Sequence, residues 1–135
     1  MIEQTRKENL EKLATYLEAL PSDYHRFGMR NWFADENGYE TYIDDDAIDS
    51  GHVCGTAACA IGHGLAAGVP VGAADSWVQY ADNFACIDTQ AFEYMFAGTW
   101  EDYDDTHQGA AQRIRMYLTQ EGDMKDLRCP WWHHR

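Results

Sequence analysis

The run Thr56-Ala57-Ala58-Cys59-Ala60-Ile61-Gly62-His63-Gly64-Leu65-Ala66-Ala67 consists almost wholly of small residues. It constrains the fold more than any other stretch of this chain. Side chains this short let neighbouring elements approach the backbone nearly to contact, so the segment belongs at the centre of a tightly packed domain. The pattern predicts a helix over Thr56 to Ala67, with Gly68 and Pro70 placed to stop it. Gly62 and Gly64 oppose that helix, each by ~1 kcal/mol relative to alanine.

Other elements gather around it. Over Thr5 to Leu20 the apolar residues Leu10, Leu13, Ala14, Leu17 and Leu20 recur at helical intervals; Thr5 and Glu8 have capping-box spacing, and Pro21 ends the run. An aromatic stretch follows (Tyr24, Phe27, Trp32, Phe33). Then come the turn signal Glu36-Asn37-Gly38 and the β-prone run Tyr39 to Ile43, which together predict a small β-hairpin near 33–44. Seven acids between Asp35 and Asp49, with no intervening base, mark 35–50 as a solvated acidic insertion. Asp75 to Ala81 reads as a short helix. Asp88 is placed to cap another that carries Phe92, Met95 and Phe96 and is closed by Gly98. Beyond the acidic loop Glu101 to Asp105, Thr106 can cap a last helix with the apolar face Ala110, Ala111, Ile114, Tyr117 and Leu118, and Gly122 lies past its end. The tail 129–135 is rich in aromatics and histidine. The fold class expected is mainly α, a single domain over 1–135 in which four or five helices bundle around the small-residue helix.

Charge and composition narrow the function. Ten basic against 23 acidic side chains give a net charge of −13, which repels nucleic acid and anionic membranes. The same field attracts a basic protein surface, including the groove that a nucleic-acid-binding protein lines with Lys and Arg. The 18 aromatics (5 Trp, 8 Tyr, 5 Phe) exclude a disordered chain. Residues Met1 to Asn9 hold no apolar signal-peptide core, and no later run reaches the ~20 apolar residues of a membrane helix. Cys54, Cys59, Cys86 and Cys129 are therefore expected as thiols in the reducing cytoplasm.

One segment concentrates reactive side chains: His52, Cys54, Cys59 and His63, where a glycine-containing loop runs into the small-residue helix. Three readings stand side by side. Cys54 at a helix N-terminus is a candidate nucleophile with His52 or His63 as base, although no Asn or Asp is placed to orient the histidine. His52, Cys54, Cys59 and His63 offer four ligands for a metal, with Cys59 and His63 one helical turn apart; the spacing lacks the two tight pairs of a structural zinc site. Alternatively the cysteines fill space as small hydrophobes and Thr56 caps the helix. In a variant of this reading, the N–H groups at Gly55, Thr56 and Ala57 bind a phosphate or carboxylate. No cofactor is called for. The acidic clusters Asp44, Asp45, Asp46, Asp49 and Glu101, Asp102, Asp104, Asp105 lack EF-hand spacing and read first as solvated charge. With Trp131 and Trp132, whose indoles either anchor a partner or fold back on the core, they form the candidate partner-binding set.

The order of parts resembles a family of small helical proteins from bacteria and their phages that has no established activity. The resemblance rests on Leu13-Ala14-x-Tyr16-Leu17-x-x-Leu20-Pro21, the pair Phe27 and Met29, Cys54-Gly55-Thr56-Ala57-Ala58-Cys59-x-x-Gly62-His63, and Thr89-x-Ala91-x-x-x-Met95-Phe96 before a final helix. It spans most of the chain except 35–50 and the tail. It implies a helical fold and a bacterial or phage origin, and supplies no catalytic residue. Members often carry Trp at the position of His63, which implies that a metal or base role there is not general.

Taken together, the sequence points to a small acidic accessory protein of the bacterial cytoplasm that engages, and inhibits, a basic or nucleic-acid-binding protein. A small-ligand binder or cysteine-dependent enzyme using Cys54 to His63 is the alternative, and a virion component a further one.

Overall fold

The computed structural model describes residues 4–24, 27, 60–64, 66–70, 80, 83–84 and 89–131. Over these the chain is mainly α. Three α-helices lie wholly among them, α1 (Gln4–Ala19), α2 (Thr89–Phe96) and α3 (His107–Thr119), with short 3₁₀ helices at Ile61–His63 and Gly98–Asp102. The four- or five-helix count expected above is not reached by these residues, and the expected hairpin near 33–44 lies outside them.

Helix α1 buries one stripe, Leu10, Leu13, Ala14 and Leu17, as its spacing predicts. The stripe packs chiefly against α3, which in turn packs against α2. Thr5 is not the cap. Gln4 already belongs to the helix, and its amide donates to Glu8 Oε1 at 3.2 Å, one turn along, so Glu8 serves an i,i+4 pair instead of a capping box. Asn9, buried on the same stripe, is satisfied by donating to the carbonyl of Asn83 at 2.9 Å.

The small-residue segment departs from expectation. Where a helix was predicted through Ala67, residues 60–64 form a turn and a single 3₁₀ turn, and 66–68 form a further turn in which Gly68 takes φ +95°. Two glycines in three positions remove the propensity that would carry a helix onward. What the small residues do provide is close approach. A β-carbon on Gly64 would sit 2.7 Å from Tyr80 Oη and 2.9 Å from Phe84 Cζ, so two aromatic rings rest directly on its backbone.

Helix α2 buries Ala91, Met95 and Phe96. It ends when Ala97 turns extended, and Gly98 opens the next 3₁₀ helix rather than closing this one. Part of the predicted acidic loop, Glu101 and Asp102, is thereby helical. Helix α3 begins as read from the sequence, with the Thr106 hydroxyl accepting from the Gly109 N–H at 2.9 Å. It ends at the predicted place, with Glu121 and Gly122 at φ 53° and 85° and the Gly122 N–H on the Tyr117 carbonyl.

Candidate partner-binding surface

Of the reactive segment, only His63 lies among the described residues; His52, Cys54, Gly55, Thr56, Ala57 and Cys59 fall outside, as do Asp44, Asp45, Asp46, Asp49 and Trp132. His63 is wholly buried and its Nε2 lies 3.1 Å from the Tyr24 hydroxyl, with the rings of Tyr16, Tyr24 and Phe27 packed around it at 5.4 to 6.2 Å. Aromatic side chains thus enclose the ring. Among the described residues no group of three His, Cys, Asp or Glu side chains could hold a metal ion.

A second buried histidine was not foreseen. His107, the first residue of α3, sets Nδ1 2.9 Å from the Leu17 carbonyl and Nε2 2.9 Å from the Pro21 carbonyl, so it ties the end of α1 to the start of α3. The only sequence signal was its place beside a cap residue.

The second 3₁₀ helix and the tail tryptophan meet. The 3₁₀ helix Gly98–Asp102 buries Trp100, whose Nε1 donates to the carbonyls of Tyr94 (2.8 Å) and Glu93 (3.2 Å). Against its ring stands Trp131, edge-on at 5.1 Å, brought back by the buried Leu127 and Cys129. Tyr103 then leans on Trp131, with centroids 5.5 Å apart and planes at 39°, and is itself 50% exposed. Glu101 and Asp102 are exposed beside it. Three aromatic rings thus form a continuous cluster, and its outermost member, Tyr103, directly follows two exposed acids in the chain.

The remaining acids divide by role. Asp104 faces inward. Its Oδ1 accepts from the Thr106 hydroxyl at 2.7 Å, and its carboxylate lies so close over the first turn of α3 that a β-carbon at Gly109 would overlap it. A carboxylate there meets the positive end of the helix. That explains why a glycine occupies the third position of α3. Asp104 also faces Arg113, whose Nη1 is 3.6 Å from Oδ2 and 3.5 Å from the Asp104 carbonyl. Asp105 is half-buried.

Arg113 is the least expected member: 5% exposed, its guanidinium 4.0 Å from the Trp100 ring centroid, with Nε and Nη2 lacking any hydrogen-bond partner. Burial pulls the guanidinium down to about 10, while the charge of Asp104 holds it up. It therefore remains a cation at neutral pH, compensated by the ring and by the carboxylates of Asp104 and Asp105. Two unmet buried donors cost about 1–3 kcal/mol each, more than the ~1–2 kcal/mol a cation–π contact returns. Arg113→Met is accordingly expected to unfold at the urea midpoint of wild type or higher, because methionine fills the volume without stranding a charge. A fall of ~2 kcal/mol would show the guanidinium to be a net stabiliser.

On the outer face of α1 an open groove of about 540 Å³ is lined by Glu8, Glu11, Lys12, Thr15, Tyr16 and Ala67. Further along, Glu18 and Arg115 form an exposed two-toothed ion pair at 2.9 and 3.1 Å; the hydrogen bond to Arg115 holds the Glu18 carboxyl below its usual range. No described helix is long and apolar enough to cross a membrane. No protein family, curated protein or solved structure matches the chain.

Proposed function

We propose that this chain is a small acidic binding protein of bacterial or phage origin that works in the cytoplasm by engaging a basic protein surface. The observation that carries the reading is the half-exposed Tyr103, braced on Trp131 and directly preceded in the chain by the exposed acids Glu101 and Asp102. Interfaces favour rigid aromatic anchors at their centre with charge at the rim, and a face of this sign recruits Lys and Arg. A net charge of −13 adds a long-range field that speeds encounter with a cationic partner. In its sharpest form the partner is a nucleic-acid-binding enzyme whose basic groove is occupied, and thereby blocked, by the acidic face.

The test is retention of host proteins on the immobilised chain at low salt, beside the variant Glu101→Lys/Asp102→Lys. The expected result is a retained protein that is basic, elutes as salt rises through the physiological range, and is no longer held by the reversed-charge variant. Equal retention by both forms, or none by either, would remove this face from consideration.

A further inference from the structure

We propose that His107 is a proton-operated clasp: its imidazole holds the end of α1 to the start of α3 in full only while both ring nitrogens carry a proton. The ring stands between two acceptors, with Nδ1 2.9 Å from the Leu17 carbonyl and Nε2 2.9 Å from the Pro21 carbonyl. A carbonyl oxygen cannot donate, so each contact needs an N–H from the ring. Neutral imidazole has one N–H and one lone pair, and would turn that lone pair on an oxygen at hydrogen-bonding distance. Turning the ring over is no remedy, because it sets two carbons against the same oxygens. Imidazolium alone satisfies both contacts. His107 is 3% exposed, which leaves bulk solvent little access to repair a missing bond.

Burial opposes a charge on this ring, and two charge-assisted hydrogen bonds offset that cost. The acceptors belong to the last turn of α1 and the turn that follows it, the negative end of that helix. The positive end of α3 acts against the cation, but the Asp104 carboxylate lies over that first turn. Among the described residues, Tyr24 faces the ring edge-on at 6.0 Å from the turn after α1. Beyond Tyr24 lies His63 of the 3₁₀ turn Ile61–His63, its Nε2 3.1 Å from the Tyr24 hydroxyl. On the side of α3, Asp104 and Asp105 precede His107 in the chain, with Asp104 engaged by Thr106 and Arg113. The clasp also reaches past the two helices. The Pro21 carbonyl accepts from the Tyr24 N–H at 3.0 Å as well, so one oxygen serves both His107 and the turn that presents Tyr24 to His63. Loss of the proton therefore loosens α1, α3 and the small-residue segment together.

The experiment follows the ring nitrogens of the intact protein, carrying isotope-labelled histidine, by NMR between pH ~5 and ~8. His107 is identified by its through-space contacts to Pro21. Both of its nitrogens are expected to stay protonated at a pH where the histidines of the urea-unfolded chain have each given up one proton. The sign of the linked stability follows: the contribution of the clasp is fully present in acid, and it is lost as the pH rises and the folded ring releases its second proton. His107→Phe keeps a ring in the site and removes both hydrogen bonds. The gap in urea midpoint between wild type and this variant is expected to be widest near pH ~5 and to narrow by about half or more once the wild-type ring is neutral. A His107 ring that loses its proton no later than the unfolded histidines, or a midpoint gap that stays constant while it does so, would overturn the clasp. The NMR arm uses the wild-type protein alone, so it decides the matter even where His107→Phe does not fold.

Discussion

Gly64→Ala is expected to destabilise the protein by about 3 kcal/mol, read as a drop in the urea midpoint at unchanged slope. The added methyl would stand 2.7 Å from Tyr80 Oη, 2.9 Å from Phe84 Cζ and 3.0 Å from the Ile61 carbonyl. Real β-carbons are not found below 3.0 Å from such atoms, and neither ring can retreat, since Tyr80 and Phe84 are buried and packed edge-to-face at 5.6 Å. Alanine would otherwise be the better residue for a helical turn. The clash decides the sign. A double variant tests the cause: Tyr80→Phe removes the nearest of the three atoms, so Gly64→Ala should cost less in that background than in wild type. Strict additivity would mean that the strain lies elsewhere.

Tyr80 supplies the second large effect, in alkali. Its hydroxyl donates to the Val69 carbonyl at 2.6 Å from a wholly buried position, and burial pushes the phenol up from its ordinary value near 10. The unfolded chain then loses its Tyr80 proton before the folded one does. Below pH ~10 the contribution of Tyr80 to stability is fully present; above it, that contribution falls by about 1.4 kcal/mol per pH unit, until the folded phenol itself ionises. Burial shifts Tyr94 in the same sense and Arg113 in the opposite stabilising sense, because the unfolded guanidinium binds a proton that the folded one holds less tightly. Comparison with Tyr80→Phe isolates the term. Phenylalanine strands the Val69 carbonyl and is weaker by about 1–3 kcal/mol at pH 8, and the difference should shrink and then reverse as the pH rises past 10. Parallel stability curves for the two proteins between pH 8 and 11 would show that the Tyr80 hydroxyl is not held as described.

The three helices were legible wherever one periodicity governed them. Leucines at helical spacing announced α1, and Thr106 and Gly122 bracketed α3 at both ends, because caps are local chemistry that needs no knowledge of the fold. The small-residue segment misled in form and not in purpose. Its glycines were read as tolerated flaws in a helix, whereas Gly64 is there to let Tyr80 and Phe84 close on the backbone. Arg113 and His107 were out of reach because their meaning depends on partners outside their own helix. Nothing about an arginine in an amphipathic helix says that Trp100 will roof it, and nothing about a histidine after a cap says that two carbonyls 86 and 90 residues earlier await its ring. Asp104 was grouped with its acidic neighbours by composition, although the hydroxyl two residues on turns it inward. The tail held two outcomes open, and for Trp131 the answer is that it folds back on Trp100.

The pairing of α1 with α3 sets a schedule for how the chain matures. His107 reaches Leu17 across 90 residues and Arg115 reaches Thr15 across 100, so α1 has its main partner only after the long stretch between them has been synthesised. Closing so long a loop is entropically unfavourable and slow to find, and until it closes the stripe Leu10, Leu13, Ala14, Leu17 faces water. A nascent chain at that stage displays a sticky helix. The interval between the birth of α1 and the arrival of His107 is when aggregation, or capture by a chaperone, competes with folding.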